Sequence, residues 1–308
     1  MELFEHAKEI ANTYHSLQKN ICLILEHADA QGTFIEHPWE RSVGSGMTCV
    51  MQRGKIIEKA AVNFSYVRGS MTPALSKILG EDAESYVATG LSSIVHAMNP
   101  FLPAIHMNVR YFLLDSGAEW FGGGIDLTPA YIDIPQTIDF HRKLKSICDG
   151  YNREFYPVFK EWADDYFFLD HRDETRGVGG IFFDRQRPDA KMDRKRWLSF
   201  TAELAKEYPA IYTRLINKNA EKNFSQENKT WQKIRRGRYV EFNLVYDRGT
   251  RFGLESGGNT ESILTSMPPE AGWEFNAMPV ANTEEQKTIA FLKRGIDWIN
   301  YSAPNSIR

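Results

Sequence analysis

The sequence predicts an α+β fold with a mostly antiparallel sheet. Strand-like segments follow one another at Met107–Leu114 and Glu119–Leu127, and another occurs at Gly180–Asp184. The long helical segments are not interposed in the regular alternation that parallel βαβ units require. No internal repeat, low-complexity tract or linker rich in Gly, Pro and Ser divides the chain, so residues 1–308 are expected to form a single domain.

The first third of the chain predicts a helix followed by a β-hairpin. Residues 2–28 carry apolar side chains at helical spacing, and Gly32 follows as a stop signal. Met47–Met51 and Ile56–Tyr66 flank the sequence Gln-Arg-Gly-Lys, which is typical of a hairpin. Phe101–Pro103 is expected to be irregular because two prolines bracket it.

The rest of the chain predicts four helices and one further strand. Arg238–Tyr246 shows the alternation of a strand. Thr283 and Gln286 stand in the register of a capping box, so the last helix is expected to begin there. The predicted helices are Ile138–Ile147, Arg153–Phe168, Lys195–Tyr208 and Thr283–Trp298.

Composition indicates a globular protein in a reducing compartment. A net charge of −3 and an apolar fraction of 42% fit a soluble chain, and the lack of a basic excess argues against nucleic acid as a partner. The three cysteines are odd in number and none lies in a CxxC motif, so no disulfide framework is expected. Charges interrupt the N-terminal segment where a signal peptide would be apolar, and no apolar run is long enough to span a membrane. A cytoplasmic protein without membrane contact is expected.

His106, Asn108 and Arg110 form the first candidate site. They are two residues apart, so in a strand all three side chains point to one face of the sheet, with Tyr111 on the reverse. An imidazole, an amide and a guanidinium would then converge. Phe112 shares that face, however, and the pattern alone fits a polar edge of a half-exposed sheet slightly better.

Glycines and acids mark three further candidates. Asp126 follows three consecutive glycines, which are plausible where a flat ligand lies on the backbone, although a β-bulge with an exposed acid is the alternative. If Asp126 lay beside an apolar ring, desolvation would raise its pKa and suit it to act as a base. Asp247, at a predicted strand end, and Arg176, in a glycine-rich segment, are equally typical of turns.

The sequence contains no motif for a familiar cofactor or metal. It has no HExxH, no G-x-G-x-x-G after a strand and no G-x-x-x-x-G-K-[ST]. The later histidines, at 96, 106, 141 and 171, are widely separated, so spacing argues against a metal site.

Five long segments nevertheless resemble the oxygen-dependent coproporphyrinogen-III oxidase family, in the family's order along the chain. They are VNFSYVRG (62–69), SIVHAMNPFLPAIHMNVRYF (93–112), WFGGGIDLTPAY (120–131), HRDETRGVGGIFFD (171–184) and YVEFNLVYDRGTRFGLESGGNTESILTSMPP (239–269). Five ordered segments are far more specific than one short motif. The resemblance implies a large antiparallel sheet flanked by helices, and a homodimer with residues 239–274 at or near its interface.

The resemblance also implies an activity in haem biosynthesis. Members of the family convert coproporphyrinogen III to protoporphyrinogen IX by aerobic oxidative decarboxylation, using dioxygen and releasing carbon dioxide and hydrogen peroxide. No cofactor is required for this chemistry because the electron-rich substrate can itself reduce dioxygen.

By the same resemblance, residues are assigned to roles one by one. The catalytic residues would be His106, as proton donor, with Asp126 and Asp247. Substrate contacts would come from Ser92, Asn108, Val109, Arg110, Arg176, Gly257, Gly258 and Asn259. A divalent metal is assigned in the family at the positions of His96, His106, His141 and His171.

One departure bears on substrate binding. Asn259 stands where many relatives have an arginine after the paired glycines, and Arg251 is a candidate to replace that charge. Two other function classes stay open from the sequence: a His-ligated metal hydrolase or oxygenase, and a non-catalytic protein that binds tetrapyrroles or polyanions.

Overall fold

Seven strands form one antiparallel sheet, which confirms the predicted fold class. The structure is a computed structural model and describes residues 2–255 and 259–302. The strands stand in the order β1-β2-β3-β4-β5-β6-β9, and every neighbouring pair is antiparallel. They are β1 (Ile35–Arg41), β2 (Gly44–Gln52), β3 (Ile57–Ser70), β4 (Ser85–Ala97), β5 (Ala104–Leu114), β6 (Glu119–Thr128) and β9 (Gly180–Gln186). A separate two-stranded pair consists of β7 (Phe168–Leu169) and β8 (Glu174–Thr175).

Helices cover both faces of the main sheet. They are α1 (Glu2–Asp29), α2 (Pro73–Leu79), α3 (Ile134–Asp149), α4 (Phe155–Tyr166), α5 (Arg194–Asn219), α6 (Gln226–Glu241), α7 (Arg248–Glu255), α8 (Thr260–Leu264) and α9 (Glu284–Ala290). A π-helical turn, Phe242–Tyr246, continues from α6. Within the described ranges no helix is both long and apolar enough to cross a membrane.

The core lies between one face of the sheet and the helices α1 and α5. These two helices pack on each other and on β3 to β5, and the Tyr14 hydroxyl meets that of Thr201 at 3.0 Å between them. Alternate residues of β5 point into this core, among them Met107, Val109 and Tyr111, which are buried. The other face of β5 is therefore available for polar side chains.

The opposite face is covered by α6, α7 and α8. Asn63 of β3 donates a hydrogen bond to the carbonyl oxygen of Ser262 at 3.1 Å, and the hydroxyl of Thr48 meets that of Ser262 at 2.6 Å. These bonds hold the short helix α8 over β2 and β3. A gap remains over β4 and β5, between the sheet and α7.

The predicted strand Arg238–Tyr246 is wrong, because this segment is helical. Helix α6 runs through it to Glu241, and the π-helical turn follows. Tyr239 and Phe242 are both buried and three residues apart, a spacing that places them on one face of a helix but on opposite faces of a strand. Packing decides the outcome, because Tyr239 and Phe242 both stack against the guanidinium of Arg176.

The last predicted helix begins correctly but ends early. The hydroxyl of Thr283 accepts a bond from the N–H of Gln286, as the capping pattern predicts. The helix stops at Ala290, and Gly295 then takes a left-handed φ of 77°. Strands β1 and β4 and the helices α2, α7 and α8 were not predicted from the sequence.

Candidate active site

A cleft of about 410 Å³ lies between the polar face of β3 to β5 and the segment that carries α7 and α8. Side chains at its base include Asn63, Ser92, His106, Asn108 and Arg110. Its far wall is built by residues that include Tyr166, Phe182, Asp247, Asn259 and Ser262. The lining of the cleft is more apolar than polar, which suits an apolar ligand with a few charged substituents.

His106, Asn108 and Arg110 share one face of β5, as predicted. In the register of β5 and β6, His106 lies opposite Asp126, Asn108 opposite Gly124 and Arg110 opposite Gly122. All three side chains are half-buried and line the cleft. The predicted convergence of an imidazole, an amide and a guanidinium is therefore confirmed.

The three glycines of β6 have a different role from the one expected. They do not line the cleft; they let neighbouring groups approach closely. A Cβ at Gly122 would lie 2.8 Å from Nε of Arg110, and one at Gly123 would lie 2.6 Å from the carbonyl oxygen of Asn108. The pairing of β6 with β9 is irregular between Phe121 and Gly123, so a bulge is present there. The glycines therefore allow Arg110 to lie across β6.

Asp126 is buried behind His106 and does not reach the cleft. Its side chain is 2% exposed, its Oδ1 accepts from Nδ1 of His106 at 3.0 Å, and its Oδ2 accepts from Nη2 of Arg176 at 2.7 Å. Burial raises the pKa of Asp126, but Arg176 and His106 together lower it below its ordinary value. The expectation of a raised pKa, suited to a base, is therefore wrong.

This geometry makes Asp126 a positioning residue. Because a carboxylate can only accept, Nδ1 of His106 carries a proton, and Nε2 is the ring nitrogen left for the cleft. In the described chain Nε2 has no hydrogen-bond partner of its own.

Arg176 is not available to a substrate. Its side chain is 2% exposed, and its Nη1 donates to Oδ1 of Asn243 at 2.7 Å. The guanidinium lies 4.3 Å from the ring centroid of Phe167 and 4.7 Å from that of Phe242. The expected substrate contact is corrected accordingly: Arg176 holds Asp126 in the interior.

Arg110 is the arginine that faces the cleft. Its side chain is 39% exposed, and its Nη2 lies 3.0 Å from Oδ1 of Asp184. Among the described residues that line the cleft, it is the only arginine. Arg248 stands nearby, 5.2 Å from the ring centroid of Tyr166 on the cleft wall. A ligand carboxylate can therefore reach Arg110 only by sharing it with, or displacing, Asp184.

Asp247 faces His106 from the other side of the cleft and caps α7. Its Oδ2 accepts from the N–H of Thr250 at 2.7 Å, and its Oδ1 accepts from the hydroxyl of Tyr166 at 2.8 Å. Burial raises the pKa of Asp247, but these hydrogen bonds lower it below its ordinary value. The segment is thus a helix start rather than a turn, and the carboxylate is held ionised in the cleft wall.

Two amide oxygens in the cleft lack a donor. Oδ1 of Asn108 and Oδ1 of Asn63 are buried and have no hydrogen-bond partner among the described residues. Ser92 of β4 pairs with Asn108 in the sheet and also lines the cleft. The side chain of Val109 points into the core, so only its main chain can contact a ligand. Unpaired acceptors at the base of a cleft favour a ligand with N–H donors.

Asn259 lies in the cleft wall and caps α8. Its Oδ1 accepts from the N–H of Ser262 at 3.4 Å. Gly257 and Gly258, the other predicted contacts of this segment, lie outside the described residues. Arg251 is exposed on α7 and does not line the cleft.

Sequence reasoning missed one wall of the cleft. Tyr166 and Phe182 stack with ring centroids 3.9 Å apart and an interplanar angle of 9°, and both line the cleft. They come from α4 and β9, which are distant in sequence. In the sequence, only their aromatic character indicated that they could line a cleft, and most aromatic residues of the chain belong to the core.

The four histidines assigned to a metal in the family do not form one cluster here. His96 and His141 are buried, and their Nε2 atoms contact the carbonyl oxygens of Ser266 at 2.9 Å and Val178 at 3.0 Å. Burial lowers the pKa of each to about 3, so both are neutral. His171 contacts Glu241 at 2.7 Å. Over residues 2–255 and 259–302 no three His, Cys, Asp or Glu side chains converge to hold a metal ion. The residues present therefore do not fit the metal assignment.

The fold and the cleft define an α+β protein with a histidine and an arginine side by side in a cleft on one face of an antiparallel sheet. Comparison with known sequences identifies its family. The family model described as coproporphyrinogen III oxidase matches residues 9–298. The chain belongs to the coproporphyrinogen III oxidase family.

Three relatives show how widely the similarity extends. The chain is 43% identical over 297 residues to the oxygen-dependent coproporphyrinogen-III oxidase of Francisella tularensis subsp. mediasiatica (strain FSC147), covering 92% of this chain and 95% of the relative. It is 42% identical to coproporphyrinogen-III oxidase 1, chloroplastic, of Arabidopsis thaliana, covering 92% and 76%. It is 40% identical to the mitochondrial oxygen-dependent coproporphyrinogen-III oxidase of Rattus norvegicus, covering 92% and 67%.

Proposed function

We propose that this protein catalyses the aerobic oxidative decarboxylation of coproporphyrinogen III to protoporphyrinogen IX in haem biosynthesis. One observation supports this most directly: His106, held by Asp126, stands beside the exposed guanidinium of Arg110 in a cleft walled by aromatic rings. The names of the relatives specify the substrate. The substrate is a macrocycle of four pyrroles with carboxylate arms and N–H groups, and the cleft offers a partner for each.

The reaction requires one proton from the protein or solvent for each propionate. A propionate side chain, one dioxygen and one proton give a vinyl group, carbon dioxide and hydrogen peroxide. The macrocycle supplies two electrons to dioxygen, and the side chain loses carbon dioxide and one C–H proton. The reaction occurs twice per substrate.

Arg110 binds a propionate carboxylate in this proposal. A guanidinium can donate two parallel hydrogen bonds to a carboxylate. Asp184 now occupies one of these positions, so substrate binding exchanges one carboxylate for another. Such an exchange leaves the net charge of the cleft almost unchanged.

Asp247 and Asn108 receive the pyrrole N–H groups. Asp247 is ionised and lines the wall, and Oδ1 of Asn108 is a buried acceptor without a donor. Hydrogen bonds from pyrrole N–H groups to a carboxylate raise the electron density of the ring, which favours electron transfer to dioxygen. Asp126, which was an alternative for this role, is excluded by its burial behind His106.

His106 supplies the proton through Nε2. Its Nδ1 is fixed by Asp126, so the ring keeps one orientation and one tautomer when neutral. Protonation at Nε2 produces an imidazolium that the Asp126 carboxylate stabilises, and this proton can pass to the departing peroxide.

We further propose a homodimer and a cytoplasmic location. The segment after α8 exposes several large apolar side chains, and Phe275 is 96% exposed. Leu244, Val245, Leu254 and Trp273 are also exposed, all within residues 239–274. A surface of this kind is typical of an interface. Light scattering after gel filtration should give a dimer that Phe275→Asp dissociates, while Leu23→Asp on α1 does not; a wild-type monomer would refute the proposal.

The cytoplasmic location is supported by three buried cysteines that form no disulfide bond.

Incubation with coproporphyrinogen III in air tests the activity. We expect protoporphyrin fluorescence after oxidation of the product, with and without a chelator, and hydrogen peroxide in step with it. Turnover that requires a metal would favour a metal oxygenase, and binding without turnover would favour a tetrapyrrole-binding protein. Either result would refute the proposal as stated.

A further inference from the structure

A second, smaller cavity lies between α6 and the sheet and shares no residue with the cleft. Its volume is about 20 Å³, and its walls come from β4, β6 and α6 together with the loops beside them. This space is enough for a single water molecule or an ion of similar size. Four of the polar residues that line it are at least nine-tenths buried: His96, Arg235, Arg236 and Tyr239.

The arginines of this cavity have N–H groups without an acceptor. In the described chain Nε and Nη2 of Arg235 and Nη1 of Arg236 have no hydrogen-bond partner. Buried guanidinium N–H groups are rarely left without an acceptor. The cavity is therefore lined by several hydrogen-bond donors and has room for one water molecule or one small ion.

Positive charge exceeds negative charge around the cavity. Nη1 of Arg235 contacts Glu174 at 2.9 Å, but Arg238 lies 3.9 Å from the same carboxylate. Glu58 is shared in the same way, because Arg236 contacts it at 2.6 Å and Lys229 at 3.8 Å. Burial lowers the pKa of Arg235 in spite of Glu174, as expected for a charge that its partner compensates incompletely.

Only one atom of the lining requires a donor. The Nε2 atom of His96 faces the carbonyl oxygen of Ser266 and must carry the proton of the neutral ring, so Nδ1 is an acceptor without a donor. A water molecule could donate to Nδ1, but it can accept only two hydrogen bonds. A spherical anion can accept more hydrogen bonds than a water molecule, so it suits a cavity lined by two guanidinium groups with unpaired N–H donors.

We propose that this cavity is a binding site for a small monovalent anion of the size of chloride. The anion would accept hydrogen bonds from Arg235 and Arg236 and offset the excess positive charge between α6 and the sheet. The site is separate from the cleft, and the inference does not depend on the proposed activity. Tyr239 connects the two regions, because its ring also packs 4.9 Å from the guanidinium of Arg176.

Bromide scattering and halide-dependent stability test the site. Crystals of the intact protein soaked in sodium bromide should show an anomalous peak inside the cavity. In solution, replacing sodium gluconate by sodium chloride at constant ionic strength should raise the melting temperature by roughly 2–4 °C and then saturate, since a ligand that binds only the folded state stabilises it. Gluconate is too large for the cavity.

Arg235→Lys and Arg238→Lys form a matched pair of variants. Both residues lie on α6 and near Glu174, but only Arg235 lines the cavity. Arg235→Lys should lose the chloride-dependent rise, and Arg238→Lys should keep it, which also separates specific binding from general salt effects. No bromide peak in the wild-type cavity would overturn the proposal even if Arg235→Lys does not fold. An equal chloride response in Arg235→Lys would also overturn it.

Discussion

Asp126 lies between the imidazole of His106 and the guanidinium of Arg176, and these neighbours decide what a substitution there would do. Its oxygens accept hydrogen bonds from His106 and from Arg176. None of the three side chains can turn towards solvent without breaking one of these two hydrogen bonds. The sequence identified all three residues as candidates. It could not reveal that Arg176 serves Asp126 rather than the substrate, because residues 126 and 176 meet only in the folded molecule.

Asp126→Asn should reduce both turnover and stability. The amide is nearly isosteric, but Arg176 would keep a buried charge without its counter-ion, and losing one partner of a buried ion pair costs about 3–5 kcal/mol. Urea unfolding and kcat measure the two effects. Asp139→Asn, at an exposed residue of α3 paired with Lys218, is the control and should change neither. Wild-type stability in Asp126→Asn would contradict the assigned role.

Arg110→Ala should weaken substrate binding and leave the fold intact. The lost charge-assisted contact is worth roughly 1.5–3 kcal/mol, which corresponds to an increase in KM of about 10- to 150-fold. The partly exposed pair with Asp184 contributes little to stability. Arg142→Ala, on the exposed side of α3, is the control. Unchanged KM and kcat in folded Arg110→Ala would exclude a substrate contact.

At the scale of the elements, helix α7 is tied directly to the cleft, because its first turn is capped by a cleft residue. Its cap is the carboxylate of Asp247, so the start of the helix and the wall of the cleft depend on one side chain. The hairpin of β2 and β3 could be predicted from the turn sequence between the strands, and β5 from its alternation, which its buried and half-buried residues preserve. Strand β6 was predicted as well, although it is buried along nearly its whole length. Helix α6 was not predicted, because the alternation within residues 238–246 indicated a strand. The buried Tyr239 and Phe242 are three residues apart, as on one face of a helix, and both contact Arg176.

Comparing Asp247→Asn with Asp247→Ala separates these two functions. Asparagine caps helices as well as aspartate does, so Asp247→Asn should keep normal stability and lose turnover. Alanine removes the cap as well and should also cost about 0.5–2 kcal/mol of stability. Thermal unfolding and kcat distinguish the variants. If Asp247→Asn retained full activity, the charge of Asp247 would have no part in the reaction.

For the molecule as a whole, two buried histidines connect stability to pH. The pKa of His96 and that of His141 are lowered to about 3 in the folded state, against about 6.5 in the unfolded chain. Between these values the unfolded state binds more protons than the folded state. The contribution of the neutral histidines to the free energy of unfolding is therefore fully present above about pH 6.5 and is lost as the pH decreases. The family and the polar face of β5 could be predicted from the sequence, but neither the burial of these rings nor their partners could.

The free energy of unfolding should therefore fall between pH 7.5 and 5.5. Near the lower end each histidine contributes a slope of about 1.4 kcal/mol per pH unit. Urea titrations at several pH values measure it. His141→Gln should flatten the slope, and His37→Gln, at an exposed residue of β1, should not. A pH-independent free energy over this range would contradict neutral, buried histidines.

The strand order also has a consequence for how the chain folds. From β1 to β6 each strand pairs with the next in sequence, so these six strands can form through short loop closures. Strand β9 follows α3 and α4 in the chain, so we expect it to pair with β6 only after these helices have formed. Arg176 lies just before β9 and is placed at the same stage. The carboxylate of Asp126 thus has no guanidinium partner until the last strand docks. We expect pulsed hydrogen exchange during refolding to protect β3 to β5 before β9, and activity to appear only with β9; simultaneous protection would show a single concerted step.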